Sequence, residues 1–167
     1  MSAETITTAL FLITAVVASA VLINAVYPVI QNMAGTFSSS THESDVRIRT
    51  DFKIIATSAS QSSGTAQVWM KNIGSERISL SEIQRSDVFC GAVGNFDHVT
   101  YTSGSLGDKQ WTADFGPGYD LNANSFWDPG ETLKVTAKTS IPPAGNNVYF
   151  QFALPNGIWR SNEFTAS

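Results

Sequence analysis

One stretch of the chain gathers oxygen-bearing side chains at regular intervals, Asp120-Leu-Asn122-Ala-Asn124-Ser-Phe126-Trp-Asp128-Pro-Gly-Glu131. Oxygen-bearing side chains stand at its first, third, fifth, ninth and twelfth places, and Phe126 at the seventh offers a backbone carbonyl. Calcium takes about six to eight hard oxygen ligands at about 2.3 to 2.6 Å, and this is the spacing with which a curling loop delivers them. The expected metal set is therefore Asp120, Asn122, Asn124, Phe126, Asp128 and Glu131, with Glu131 closing the shell through two oxygens and calcium as the cofactor. Magnesium or sodium would use the same donors. Ser125 departs from the pattern, which prefers glycine at the sharp turn, and no pair of flanking helices is evident. The loop thus reads as a metal site joined to a strand, not as a sensor that opens and closes. Its alternative reading is an Asn/Asp-rich turn that hydrogen-bonds its own backbone.

Catalysis finds little support elsewhere. His42 and His98 have no nucleophile beside them in a recognisable motif, and no nucleophile elbow, H-E-x-x-H or phosphate loop occurs. No catalytic residue is expected. The single cysteine, Cys90, excludes an internal disulfide framework and reads as a small buried hydrophobe. A net charge of −4, with scattered Lys and Arg, gives no basic stripe, so nucleic acid is not an expected partner.

The elements that must position the loop begin with a run from Thr5 to Thr41 that carries no charged side chain; all ten Lys and Arg residues lie beyond position 46. The apolar part, Ile6 to Ile30, exceeds the roughly 20 helical residues that cross a bilayer core about 30 Å thick. A cleaved secretory signal would have a basic n-region and a shorter apolar core. The run reads as a helix for a membrane or a filament core. Pro28 should kink it. Thr14, Ala15, Ala18 and Ser19 form a small-residue patch that lets another helix approach closely. From Gln31 to Thr50 two readings stand level: a helix continuing to about residue 50, roughly 70 Å long in all, or a flexible break at Gly35 and Ser38–Thr41.

After residue 50 the period changes. Runs at 51–59, 65–74, 77–83, 87–91, 98–102, 131–140 and 147–154 are rich in β-branched and aromatic residues and are separated by Gly, Ser, Asn and Pro. Leu133, Val135 and Ala137 alternate with Lys134, Thr136 and Lys138, and Val148, Phe150 and Phe152 repeat the pattern, giving one buried and one wet face. About seven strands predict an α+β chain: a long N-terminal hydrophobic α-helix followed by an immunoglobulin-like antiparallel β-sandwich. The domains are placed at 1–50 and 51–167. Trp69, Trp111, Trp127 and Trp159 read as core and loop anchors. If Trp111, Phe115, Tyr119, Phe126 and Trp127 were exposed, they would form a contact surface for other subunits or for a cell-wall partner.

A charge-poor N-terminal helix, then a sandwich carrying W-x-K-N-x-G-S (Trp69 to Ser75) and W-D-P-G-E (Trp127 to Glu131), resembles archaellins and the archaellum accessory proteins of the FlaG/FlaF family. The resemblance covers essentially the whole chain. Its start, SAETITTALFLITAVVASAVLINAVYPVI, and the continuation AGTFSSSTHESDVRIRTDFKI look more like FlaG than like an ordinary archaellin. The resemblance implies a helix that packs in a filament core or crosses the membrane, a sandwich outside the cell, and no enzymatic activity. It also implies self-association through the helix, contact with other archaellum subunits, and contact with the cell envelope or S-layer. The absence of any N-x-S/T sequon favours an accessory part over a glycosylated filament subunit.

Topology carries a conflict. Arg47 and Arg49 follow the apolar run and nothing basic precedes it, so the positive-inside rule alone would put the sandwich in the cytoplasm. The calcium-like loop and the resemblance both suit an exterior domain, and the expectation is a membrane-anchored protein of the archaellum and cell surface with its C-terminal domain outside. Three functions are set against one another: a stator-like accessory protein, a polymerising archaellin-like or pilin-like subunit, and a membrane-tethered binding or hydrolytic module.

Overall fold

A computed structural model describes residues 2–114 and 118–167, apart from the side chains of residues 38 and 39. Helix α1 spans Ser2–Arg49 without interruption, so of the two readings for residues 31–50 the continuous helix is the one observed. Gly35 does not break it, and Pro28 lies inside it with helical backbone on both sides. Hydroxyls at Thr7, Thr8, Ser19, Thr36 and Thr41 donate to the carbonyl four residues back, which hides polar hydrogens that an apolar medium would penalise. Every side chain from Ser2 to Phe37 is exposed within the chain, among them Phe11 at 70% and Leu12 at 64%. The helix is long and apolar enough to cross a membrane. Surface of this kind must be covered by lipid or by other helices, because water penalises it by about 25 cal/mol per Å².

The chain divides into two compact units, Met1–Asp45 and Val46–Ser167. The second unit takes in the last turn of α1 because backbone bonds tie Arg49 and Asp51 to residues 73–76.

Among the described residues ten strands follow: β1 Phe52–Ser60, β2 Thr65–Asn72, β3 Ile78–Ser79, β4 Asp87–Ala92, β5 Asn95–Tyr101, β6 Gln110–Asp114, β7 Phe126–Trp127, β8 Thr132–Lys138, β9 Asn147–Ala153 and β10 Trp159–Thr165. They form two layers, β1-β2-β8-β6 and β5-β4-β9-β10, with β3 and β7 as a separate short pair. The layers are joined into one eight-stranded sheet by β5 and β6. That contact is parallel, Thr100 with Gln110 and Tyr101 with Trp111, so the expected all-antiparallel sandwich is antiparallel everywhere but at this bridge. The alternating faces behave as read: Leu133, Val135, Ala137, Val148, Phe150 and Phe152 are all fully buried. Phe52 and Trp111 from one layer meet Phe152 of the other edge to face, at 5.6 and 5.8 Å between centroids, which locks the two layers.

The strand expected at 77–83 is a correction. Only Ile78–Ser79 is extended; Leu80–Gln84 is a short helix, α2. Ser79 caps it by accepting from the Glu82 amide at 3.3 Å, while the Glu82 carboxylate accepts from the Ser79 amide at 2.9 Å. This S-x-x-E capping box outweighs the β-branched content of the run. The strands β6, β7 and β10 were not expected. β6 and β7 are short, and β10 is an edge strand of mostly exposed side chains with no wet-and-dry alternation to read.

Candidate functional site

The predicted metal residues come together, but as a hydrogen-bonded knot. Asp120 accepts from the amides of Ser125 at 2.9 Å and Asn124 at 3.3 Å. Asn122 and Asn124 make Asx-type turns to Asn124 and Phe126, and both donate their side-chain amides to one oxygen of Asp128 at 2.7 Å. These two donors hold the Asp128 carboxyl below its usual range, with the nearby Arg77 charge adding to them. Glu131, almost completely buried, accepts from the amides of Leu121 at 2.8 Å and Asp128 at 3.0 Å. Ala123 and Ser125 adopt positive φ, 56° and 63°, so Ser125 takes the left-handed turn that the calcium pattern gives to glycine. Among the described residues no three His, Cys, Asp or Glu side chains are grouped closely enough to hold a metal ion. These hydrogen bonds are those of a self-bonded turn, and a cation held by the same residues would need Asn122 and Asn124 to turn their carbonyl oxygens toward Asp128.

The two sequence motifs meet at Asn72, which is fully buried at the end of β2. Its amide donates to the Glu131 carbonyl at 3.0 Å, and its own carbonyl accepts from Gly130 at 2.8 Å. The side-chain nitrogen donates to the carbonyls of Glu76 at 2.9 Å and Trp127 at 2.8 Å, and the side-chain oxygen accepts from Gly74 at 3.0 Å. Trp127 returns the contact by donating its indole N–H to Glu131 at 2.9 Å. Asn72-Ile-Gly-Ser75 and Trp127-Asp-Pro-Gly-Glu131 are therefore two halves of one hub. The hub also reaches the helix exit: the Arg49 carbonyl accepts from Ser75 at 2.9 Å and Glu76 at 3.2 Å, and the Asp51 carbonyl from Ile73 at 3.0 Å and Gly74 at 2.9 Å. Gly74 is required by space, since a Cβ there would stand 2.4 Å from the Arg49 carbonyl oxygen.

The exposed aromatic area of the sandwich is not made by the residues named for it in the sequence. Trp111 and Trp127 are buried in the core, Tyr119 and Phe126 are half-buried, and Phe115 lies outside the described residues. Among the described residues of the sandwich, the large rings left exposed are Phe96 at 46% and Trp159 at 53%. On the outer face of the β5-β4-β9-β10 layer, Phe96 packs at 4.7 Å from Tyr149 and at 6.2 Å from Phe89, and Phe89 lies 5.0 Å from His98. This cluster draws one residue from each of three strands plus a second from β5, so no local run could announce it. Gly91 makes room for it, since a Cβ there would meet the Phe96 Cα at 2.7 Å.

His98 is exposed and hydrogen-bonds Asp87 at 3.0 Å; among the described residues no hydroxyl or thiol is bonded to it. His42 is exposed on α1. Cys90 is buried, and desolvation pushes its thiol up to about 12, which leaves it inert as a nucleophile. Asp97 ties the layers together near the parallel bridge, accepting from Lys109 at 2.9 Å and from the Thr139 hydroxyl at 2.9 Å, and both bonds lower its pKa.

Comparison with known proteins places this architecture. An uncharacterised protein of Archaeoglobus fulgidus is 28% identical, with 98% of each chain covered. The archaellum periplasmic stator protein FlaG of Sulfolobus acidocaldarius is 28% identical with a TM-score of 0.53, covering 69% of this chain and 99% of that one. The FlaF and FlaG stator complex of the same organism contains a chain 26% identical with a TM-score of 0.52, covering 68% of this chain and 87% of that one. The archaeal-type flagellin family matches residues 2–164, helix and sandwich together. With nearly the whole chain inside that match, the protein belongs to the archaeal-type flagellin family.

Proposed function

We propose that this chain is a non-enzymatic structural component of the archaellum, anchored by α1, whose sandwich lies outside the cell and braces the motility machinery as a stator-like part. The observation that carries the reading is the likeness of the sandwich to FlaG, a protein described as a periplasmic stator of the archaellum. The unburied apolar surface of α1 supplies the anchor, and other archaellum subunits are the proposed partners, as FlaF is for FlaG. Envelope or S-layer contact would use the exposed face of the sandwich. The filament-subunit alternative is favoured by a different observation, the inclusion of the helix in the flagellin-family match together with the small-residue patch at Thr14, Ala15, Ala18 and Ser19. Electron microscopy of the full chain isolated from its native membrane separates the two. Discrete particles are expected. Long filaments of this chain alone, with a continuous helical core, would replace the bracing reading by the polymerising one.

Calcium is proposed as the ligand of the 120–131 loop, supported by the oxygen spacing and by the left-handed turn at Ser125. Such a site suits calcium-rich surroundings outside a cell.

A further inference from the structure

A two-residue connector between a long helix and a strand is where a hinge would ordinarily sit, because the last helical carbonyls lack intrahelical donors and the chain is free to swivel. Here the connector Thr50–Asp51 is held from every side. The Thr50 amide and hydroxyl both donate to the Val46 carbonyl, at 3.0 and 2.7 Å, and Thr50 is buried. The carbonyls of Arg49 and Asp51 each accept two amides from the 73–76 turn. Arg49 also meets the Glu76 carboxylate at 3.6 Å and the Ser75 hydroxyl at 3.4 Å, while Asp51 pairs with Arg160 of β10. Asn72 pins the same turn to Trp127 and, through backbone bonds, to Gly130 and Glu131, so the turn cannot swing away with the helix end.

We infer that Val46–Asp51 is a locked joint: the 73–76 turn grips the end of α1, Asn72 is the pin, and force or twist on the last helical turn passes into β1 and β2 without a hinge. For a bracing part this makes the sandwich respond as one body with the end of its helix; the use, but not the geometry, rests on the function proposed above. The residues of the two motifs then act as conformational devices at this joint. Gly74 is the element that lets the grip close.

The test is a distance measurement on the full chain in lipid nanodiscs, with spin labels at Ile48→Cys and Ser62→Cys. Ile48 and Ser62 are both exposed, and the native Cys90 is buried out of reach of the label. A second pair, Ser62→Cys with Ser81→Cys, reports the sandwich alone. The locked joint predicts distance distributions of equal width for the two pairs, and a broadening of the Ile48–Ser62 pair alone in Gly74→Ala. A broad Ile48–Ser62 distribution in the unsubstituted joint overturns the inference, as does a narrow one in a folded Gly74→Ala. If Gly74→Ala broadens both pairs by unfolding, amide exchange in the unsubstituted chain decides. The amides of Ile73, Gly74, Ser75 and Glu76 should exchange as slowly as those of Val68 and Met70, and rapid exchange there sinks the lock. Neither measurement depends on assembly. A hinge found here leaves the bracing function standing on its own evidence, and a chain that proves to polymerise leaves the joint untouched.

Discussion

Replacing Asn72 by alanine should cost more stability than its small volume suggests. The substitution removes the side-chain bonds to Glu76 at 2.9 Å, Trp127 at 2.8 Å and Gly74 at 3.0 Å. Asn72 is fully buried, so water does not reach in to replace them. At about 1 kcal/mol net per bond, with the stranded Trp127 carbonyl adding its own desolvation penalty, the loss comes to about 3 to 4 kcal/mol. For a domain of this size that lowers the melting temperature by roughly 10 to 15 °C. The assay is thermal and urea unfolding of the full chain in detergent, followed by near-ultraviolet circular dichroism of the tryptophans, which reports the sandwich and not the helix. Asn122→Ala serves as the control: its exposed side chain donates to Asp128 and accepts from the Asn124 amide where water can replace both bonds, and the change should stay within about 1 kcal/mol. If Asn72→Ala costs no more than Asn122→Ala, the hub does not hold the loops together and the reasoning fails.

Three further outcomes are expected. Adding calcium should raise the melting temperature of the full chain and chelation should reverse it, while Asp120→Ala with Glu131→Ala abolishes the response; no change with chelator marks the loop as a turn and nothing more. Acid should destabilise the sandwich: the carboxyls of Asp97 and Asp128 sit below their usual 3.8, held there mainly by Lys109 and by the Asn122 amide respectively. The unfolded chain therefore binds more protons in that window, so their stabilisation is complete above pH 3.8 and is lost as pH falls through the folded-state values. A melting temperature that does not decline faster than in Asp97→Asn/Asp128→Asn would contradict this. Gly91→Ala should cost about 1 to 3 kcal/mol by driving a methyl into the Phe96 backbone, measured by the same unfolding assay; a neutral result would mean that β5 shifts freely over β4.

Much of the fold could be read from local pattern. A charge-free run longer than a bilayer needs, and strands in which Leu133, Val135 and Ala137 alternate with polar neighbours, are properties of adjacent residues, and in the strands burial follows the alternation directly. The helix end was less legible, because Ser and Gly content near Gly35 argues for a break while the helical ladder carries on to Arg49. The loop at 120–131 reads in sequence as a calcium loop, with an Asx-rich turn as the alternative, and what local spacing does not announce is that Glu131 is bonded to the amides of Leu121 and Asp128. At 77–83 a capping signal competed with β-branched residues and prevailed, and β10 escaped notice because an exposed edge strand leaves no alternation behind.

The class of this protein is written in local pattern: an apolar helix too long for a small core to cover, then a β domain with one wet and one dry face. Those depend on composition and on near-neighbour spacing. What the Trp69–Ser75 and Trp127–Glu131 segments do follows from long-range packing, because Asn72 meets Trp127 across 55 positions of chain, and pairing at that range is set by how the strands close on one another. The same closure buried Trp111 and Trp127, brought Phe96, Phe89 and Tyr149 to the outer face, and gripped Arg49 with the turn at Ser75. A side chain's type states which bonds it must make when buried, but which partners it finds depends on the packing of strands distant in sequence.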